Sequence, residues 1–177
     1  MKENAVPDHG VRAPNFRKAR EEAARLIKEL GLKEPPVDPR KVAEYLGVSV
    51  SYYDFPEEFK NVSGYIQSQE RNIIVNNDQS ANRMFFTIAH ELGHDVLHRD
   101  YATSNSYRVL PRNDKYEGIK PPEEVEADIF AANLLVPFPL LKKYDDFASI
   151  SELARLFMVS NDVVRNQMYW MKATGNG

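Results

Sequence analysis

Apolar residues recur at helical spacing in two stretches near the start of the chain. In residues 15–30 they are spread among Lys, Arg and Glu, and Gly31 stands where a helix would end. The apolar positions of this stretch are Ala19, Ala23, Leu26, Ile27 and Leu30. A shorter helix is predicted over residues 39–46, because Asp38 can cap its start and Gly47 can close it. The pattern therefore predicts two amphipathic helices before the first strand.

From residue 48 onward the pattern changes to the period of two that is typical of strands. Residues 48–52 and 62–66 alternate apolar and polar side chains, and residues 71–76 form a third apolar run. The polar segment 67–70 between the last two runs predicts a hairpin. We expect a small antiparallel sheet that packs against the apolar side of the next helix. An edge of this sheet could hold an extended peptide by main-chain hydrogen bonds.

The next helical stretch carries a chemical motif, His-Glu-Leu-Gly-His at residues 90–94. Its apolar side consists of Met84, Phe85, Ile88, Ala89 and Leu92, and its start can be capped by Asp78 or Ser80. Spacing of four residues puts His90 and His94 on one face of the helix, where they can share a metal ion. Glu91 stands about 100° round the helix, where it can accept a proton from a metal-activated water. The motif is the zincin signature and predicts two zinc ligands and a catalytic base.

A third ligand is expected, because a catalytic zinc usually keeps three protein ligands and one water. The helix predicted to begin near residue 121 offers three glutamates, Glu123, Glu124 and Glu126. Glu124 is favoured, because Asp128 lies one turn further on the same face and could accept the free ring N–H of a zinc-bound histidine. Glu126 has Phe130 at that place and remains an alternative, as does Glu123.

The same helix is predicted to bury one apolar stripe. The stripe consists of Val125, Ile129, Ala132 and Val136.

Between the two metal helices lies a long polar connection, residues 99–120. Because it leaves directly from the ligand helix, we expect it to lie near the metal. It supplies candidates that could stabilise an oxyanion or gate the cleft, namely Tyr101, Tyr107, Arg108 and Tyr116. His98 belongs to the same set of candidates, but a structural or supporting role is favoured. Three histidines at successive turns of a straight helix span too far to converge on one ion.

Composition narrows the chemistry and the compartment. The 177 residues include no cysteine, so any metal must be held by histidine and carboxylate. The first residues lack the apolar run of a signal peptide, and no stretch nears the roughly 18 apolar residues of a membrane span. We therefore expect a cytoplasmic protein without a membrane partner. A formal net charge of −3 gives no global reason to expect nucleic-acid binding.

Two segments, Phe-Thr-Ile-Ala-His-Glu-Leu-Gly-His at residues 86–94 and Glu-Val-Glu-Ala-Asp at residues 124–128, resemble the ImmA/IrrE metallopeptidases. The resemblance extends over about residues 15–170. It implies zinc bound by His90, His94 and Glu124, with Glu91 as the base. It further implies a protein of bacteria or mobile elements that cleaves helix-turn-helix repressors and so relieves repression in a stress response.

The C-terminal residues 150–165 resemble a helix-turn-helix, but the turn holds Met158 where glycine is common. The second helix of this segment carries little positive charge before Lys172 apart from that of Arg165. Because phosphate contacts need Lys and Arg, a packing element or substrate dock is favoured over direct DNA binding.

Taken together, the pattern predicts an α+β, zincin-like fold with a small antiparallel sheet, two metal helices and a C-terminal helical appendage. We expect a loose N-terminus over residues 1–14, a metallopeptidase domain over 15–145 and a helix-turn-helix-like segment over 146–177. The predicted activity is zinc-dependent cleavage of a protein, and the family resemblance implies a repressor as the substrate. Two alternatives stay open: a zinc-stabilised protein that sequesters a repressor or toxin without cutting it, and a DNA-binding regulator.

Overall fold

The computed structural model describes residues 12–104, 107, 110–111 and 120–175. Its helices are α1 (Phe16–Glu29), α2 (Pro39–Leu46), α3 (Ala81–Leu97), α4 (Arg99–Ala102), α5 (Pro122–Leu135), α6 (Phe138–Leu141), α7 (Ile150–Phe157) and α8 (Asn161–Ala173). Its strands are β1 (Ser49–Tyr53), β2 (Val62–Gln67), β3 (Asn72–Asn76) and β4 (Leu110–Pro111), with a short 3-10 helix at Glu57–Phe59. The fold is therefore α+β, as the sequence predicts.

The two N-terminal helices form where the polar and apolar pattern places them. The Asn15 side chain accepts a hydrogen bond from the Lys18 amide at the start of α1. Asp38 caps α2 in the same way at the Arg40 amide, and Gly47 ends α2 in the left-handed conformation at φ 67°. Both cap types satisfy main-chain groups that a helix leaves unpaired. The prediction of these two helices is confirmed.

The sheet is mixed, so the prediction of an antiparallel sheet is wrong in part. The strand order is β1-β3-β2-β4. The β2–β3 hairpin is antiparallel, as predicted, but β1 pairs with β3 in parallel from Ser49 opposite Asn72 to Tyr53 opposite Asn76. A connection that includes the 3-10 helix separates β1 from β2. It lets the chain return so that β3, rather than β2, lies beside β1.

The outer edge of β2 is partly occupied by the chain itself. Leu110 and Pro111 of β4 pair with Gly64 and Val62 across a bulge. Gly64 also marks the contact between β2 and α3, because a Cβ there would lie 2.6 Å from Cγ2 of Thr87 and 2.5 Å from the carbonyl oxygen of Ile74. Glycine thus lets the sheet lie directly against the helix that carries the metal motif.

Helix α5 buries a different face from the one predicted. Val125, Ile129 and Ala132 are only half-buried, although Val136 is fully buried. The fully buried apolar residues of the helix are instead Ala127, Phe130, Ala131, Leu134 and Leu135. Because α5 packs against α1 and α3 on its other sides, the predicted stripe is left facing α8, which covers it incompletely.

The C-terminal segment forms two helices joined by a tight turn. A capping box between Ser149 and Glu152 starts α7, and Met158 makes the turn in the left-handed conformation at φ 55°. The Gln167 side chain of α8 donates hydrogen bonds to the carbonyl oxygens of Ala132 and Val136 at the end of α5. The second helix is therefore tied to the body of the protein. Across the described ranges, no helix has both the length and the apolar character that crossing a bilayer requires.

The close approach of α3 and α5 at Gly93 gives a testable prediction. A Cβ at Gly93 would lie 3.0 Å from Cα of Ala127 and 3.2 Å from the Phe130 ring, so a larger side chain must push the helices apart. We expect Gly93→Val to lower the free energy of unfolding by about 1–3 kcal/mol, the usual cost of overpacking. Urea unfolding measures this loss. Ala24→Val, at an exposed position of α1, is the matched control, and an equal loss in both variants would contradict the close approach.

Candidate metal centre

Three side chains from two helices meet in the interior beneath the sheet. His90 and His94 project from successive turns of α3, with their Nε2 atoms 3.1 Å apart. Glu124 enters from the first turn of α5, with Oε2 at 3.3 Å from His90 Nε2 and Oε1 at 3.3 Å from His94 Nε2. All three residues are fully buried. The structure thus brings the two predicted histidines together with the favoured glutamate.

The donor set and its spacing fit a divalent metal. The nearest ligand atoms of the three residues lie within 4.8 Å of one another. Ligands at about 2.0–2.2 Å from a tetrahedral ion are separated by roughly 3.3–3.5 Å, which is close to the separations found here. Two imidazoles and one carboxylate also form a common ligand set of catalytic zinc sites. The residues present could therefore hold such an ion.

The two other glutamates of α5 have different neighbours. Glu126 accepts hydrogen bonds from Arg12 Nη1 and from the Asn15 amide, each at 2.6 Å, and its other oxygen lies 2.9 Å from His98 Nε2. Glu123 pairs with Arg12 at 3.3 Å. The His98 ring lies beside this cluster, 6.2 Å from the His94 ring. Neither glutamate faces the two imidazoles, and His98 lies with Glu126 rather than with the buried triad.

Asp128 lies where the helical spacing predicts. Its Oδ1 is 2.9 Å from His90 Nδ1, so the ring is held with Nε2 turned toward Glu124. Its Oδ2 contacts Lys120 Nζ. Sequence reasoning missed Lys120, because it lies outside the helix, eight residues before Asp128 and beyond any helical spacing. The feature of the sequence that comes closest to indicating Lys120 is its position directly before the two prolines at the start of α5.

Burial and charge shift the pKa values of the triad in different directions. Burial opposes a charged His90, but the hydrogen bonds of His90 with Asp128 and Glu124 prevail and raise its pKa to about 10. Burial lowers the pKa of His94 below its ordinary value. Burial acts to raise the pKa of Glu124, yet its contacts with both imidazoles hold that pKa far below the usual range. The site therefore combines a carboxylate with one charged and one neutral imidazole.

Glu91 lies beside the triad and is fully buried. Its Oε2 accepts a hydrogen bond of 2.7 Å from the Tyr107 hydroxyl, which in turn accepts one of 3.0 Å from the Ile66 amide of β2. Its Oε1 is buried and has no hydrogen-bond partner among the described residues. Burial raises the pKa of Glu91 to about 7, against the opposing effects of the charge on His90 and of the Tyr107 hydroxyl.

Two of the tyrosines from the polar connection reach the site. Tyr107 binds Glu91 as described, and its ring lies 5.6 Å from the His94 ring. The Tyr101 hydroxyl donates a 2.9 Å hydrogen bond to Oε1 of Glu124, and its ring lies 5.4 Å from the His94 ring. Both hydroxyls therefore contact carboxylates of the site. Arg108 and Tyr116, predicted as further candidates, lie outside the described residues.

Comparison with known proteins gives the family. The family model Peptidase_M78, described as the IrrE N-terminal-like domain, matches residues 43–169 of this chain. This match covers both metal helices and most of the sequence, and the chain therefore belongs to the ImmA/IrrE family of metallopeptidases. No curated protein matches the chain significantly.

A solved structure shares the fold. It is described as a Mycobacterium tuberculosis transcriptional regulator, and it superposes with a TM-score of 0.59 at 19% sequence identity. The match covers 84% of this chain and 45% of that chain. This chain thus spans less than half the length of that regulator, and the likeness concerns the fold alone.

The charge on His90 predicts proton release when zinc binds. A coordinating imidazole nitrogen must lose its proton, and the pKa of His90 is about 10, whereas that of His94 is lowered. At pH 6, below the pKa of about 7 expected for a zinc-bound water, we expect close to one proton released per zinc bound, and His90 supplies it. Between pH 6 and 7 the apparent affinity should rise by at least about tenfold, because His90 gives up its proton more readily as pH rises. Calorimetry in two buffers of different ionisation enthalpy counts the protons, and a count near zero would contradict the charge assigned to His90.

The contact of Asp128 with His90 predicts an effect on metal affinity. Asp128→Asn keeps the shape but removes the charge that holds the ring, and such losses typically weaken metal binding by about 10- to 100-fold. Competition with a zinc chelator measures the affinity. Asp146→Asn, at an exposed position beyond α6, should leave it unchanged. Equal affinity in the two variants would refute a role for Asp128 in holding His90.

Proposed function

We propose that this chain is a zinc-dependent endopeptidase of zincin-like fold that cuts a protein substrate. One observation carries the proposal: a buried carboxylate, Glu91, lies beside two imidazoles and a second carboxylate that converge in the interior. A site that only stabilises the fold has no need of a buried base beside its ligands. Burial of an acid costs free energy, and buried acids with shifted pKa values are concentrated at functional sites.

His90, His94 and Glu124 are the proposed zinc ligands. Zinc held by these three side chains would polarise the scissile carbonyl and lower the pKa of its water toward about 7. Asp128 and Tyr101 support the ligands. Asp128 orients His90, and Tyr101 fixes one oxygen of Glu124.

Glu91 is the proposed general base. As water adds to the carbonyl carbon of the peptide bond, Oε1 of Glu91 accepts the released proton and then delivers it to the leaving amine nitrogen when the C–N bond breaks. A pKa raised to about 7 by burial suits both transfers near neutral pH. The Tyr107 hydroxyl holds Oε2, so the carboxylate keeps its orientation while Oε1 exchanges the proton.

The proposed substrate is another protein, a helix-turn-helix repressor, whose cleavage would relieve repression under stress or in a mobile element. Family membership supports this choice of substrate. A cytoplasmic location belongs to the same proposal, because a repressor is found there.

A DNA-binding regulator is the second candidate function. The fold that this chain shares with a protein described as a transcriptional regulator favours it. Two contacts of α8 weigh against it. Arg165 is paired with Asp162 at 2.8 Å, and Gln167 ties the helix to α5. Salt-dependent binding of this chain alone to duplex DNA would favour the regulator over the peptidase.

Replacing the base separates cleavage from sequestration of the substrate. Glu91→Gln keeps the size of the side chain but cannot accept the proton, so we expect cleavage of the partner repressor to slow by about 10²- to 10⁴-fold with zinc retained. Gel analysis of the fragments and metal analysis of the protein measure the two quantities. Glu123→Gln, in the same helix as Glu124 but paired with Arg12, should cleave normally. If Glu91→Gln produced fragments at the normal rate, the peptidase proposal would be wrong.

A further inference from the structure

A groove runs between α5 and α8 and passes beside Asp128, the residue that holds His90. Its volume is about 480 Å³, within the range of ligand-binding clefts. Its apolar lining comes from three helices and consists of Phe86, Val125, Ile129, Ala132, Val163 and Trp170. Each of these side chains is half-buried rather than buried or exposed. The apolar face of α5 that the sequence predicts as core is therefore part of the wall of this groove.

The lining of the groove approaches His90 at two places. Asp128 and Lys120 line it, and Asp128 is the residue that holds His90. Phe86 lies one helical turn before His90 on α3, with ring centroids 6.4 Å apart. A polypeptide that lies in the groove therefore passes within one side chain of His90.

A second cavity extends the groove past the start of α8. It measures about 340 Å³ and shares Phe86, Ser160, Asp162 and Val163 with the first. Together the two cavities form a continuous channel that is larger than a single side chain would fill. An extended segment of several residues fits such a shape better than a compact small molecule does.

The charges that line the channel already have partners. Asp128 contacts Lys120, Asp162 pairs with Arg165 at 2.8 Å, and Arg83 donates a hydrogen bond of 3.0 Å to the Ser63 hydroxyl. The signs of the charges are also balanced along the lining. Electrostatic selection of a charged segment is thus weak. Of the uncharged polar residues in the lining, Ser160 caps α8 and Gln167 binds carbonyl oxygens of α5, so the apolar residues offer the main contacts to a ligand.

We infer that this channel, the α5–α8 groove, binds the substrate residues on one side of the scissile bond and selects large apolar side chains there. The inference rests on the proposed peptidase function and adds the chemistry by which a substrate is chosen. Phe86, Ile129, Val163 and Trp170 are the specificity-determining residues. They contact the segment beside the cut and take no part in proton transfer or metal binding.

The only tryptophan of the chain, Trp170, provides a direct probe of the groove. The probes are two blocked peptides, Gly-Leu-Val-Phe-Gly and Gly-Ser-Asn-Gln-Gly, added to the Glu91→Gln chain so that neither is cut. We expect a saturable shift of Trp170 emission to shorter wavelength with the apolar peptide alone. Equal responses to the two peptides, or no response to either, would overturn the inference.

Variants at Val163 test the site of binding. Val163→Lys places a charge in the groove and should weaken binding of the apolar peptide at least about tenfold, and the milder Val163→Thr should weaken it less. Circular dichroism verifies that both variants fold. Phe147→Lys is the control, because Phe147 is apolar and 74% exposed but does not line the groove. Unchanged binding by folded Val163→Lys would overturn the inference.

Digestion of a peptide library by the zinc-loaded wild-type chain distinguishes the two proposals. We expect apolar residues to be enriched at adjacent positions on one side of the cut, and Val163→Lys to raise KM for those sites while kcat changes little. Cleavage without an apolar preference would overturn the groove inference alone. Binding of the apolar peptide in the groove without any cleavage would overturn the peptidase proposal alone.

Discussion

The structure depends on one costly arrangement, a carboxylate buried between two imidazoles where helices α3 and α5 touch. Removing Glu124 from water is unfavourable unless partners compensate for the lost hydration. His90 and His94 supply those partners, and Gly93 lets the helix backbones approach closely enough for the contact. The neighbouring side chains follow from this requirement. Asp128 balances the charge on His90, and Tyr101 occupies one oxygen of Glu124.

Much of this centre could be predicted from the sequence, because it is set by spacing within single helices. A separation of four residues determines that His90 and His94 share a face, and the same spacing links Glu124 with Asp128. That second pair favours Glu124 over Glu126 as the ligand. The helix caps and the β2–β3 hairpin were likewise accessible, because turn and cap residues act over a few positions.

Features set by contacts between distant segments could not be predicted. No local pattern shows that β1 lies beside β3, or that Lys120 reaches Asp128. The sequence predicts the apolar stripe of α5 as core, because periodicity reveals which face is apolar but not which element covers it. In the structure its other faces pack against α1 and α3, so the stripe remains to line a groove.

The contacts of Glu126 show which N-terminal residues belong to the folded unit of this chain. The family match starts at residue 43, but Arg12 and the Asn15 amide, both ahead of α1, donate to a glutamate that is only two positions from Glu124. A fragment that began at residue 43 would lose these two donors together with α1, which packs against α5. The segment before α1 is thus part of the folded body that carries the metal centre, and its loss would remove hydrogen bonds from the helix that carries Glu124.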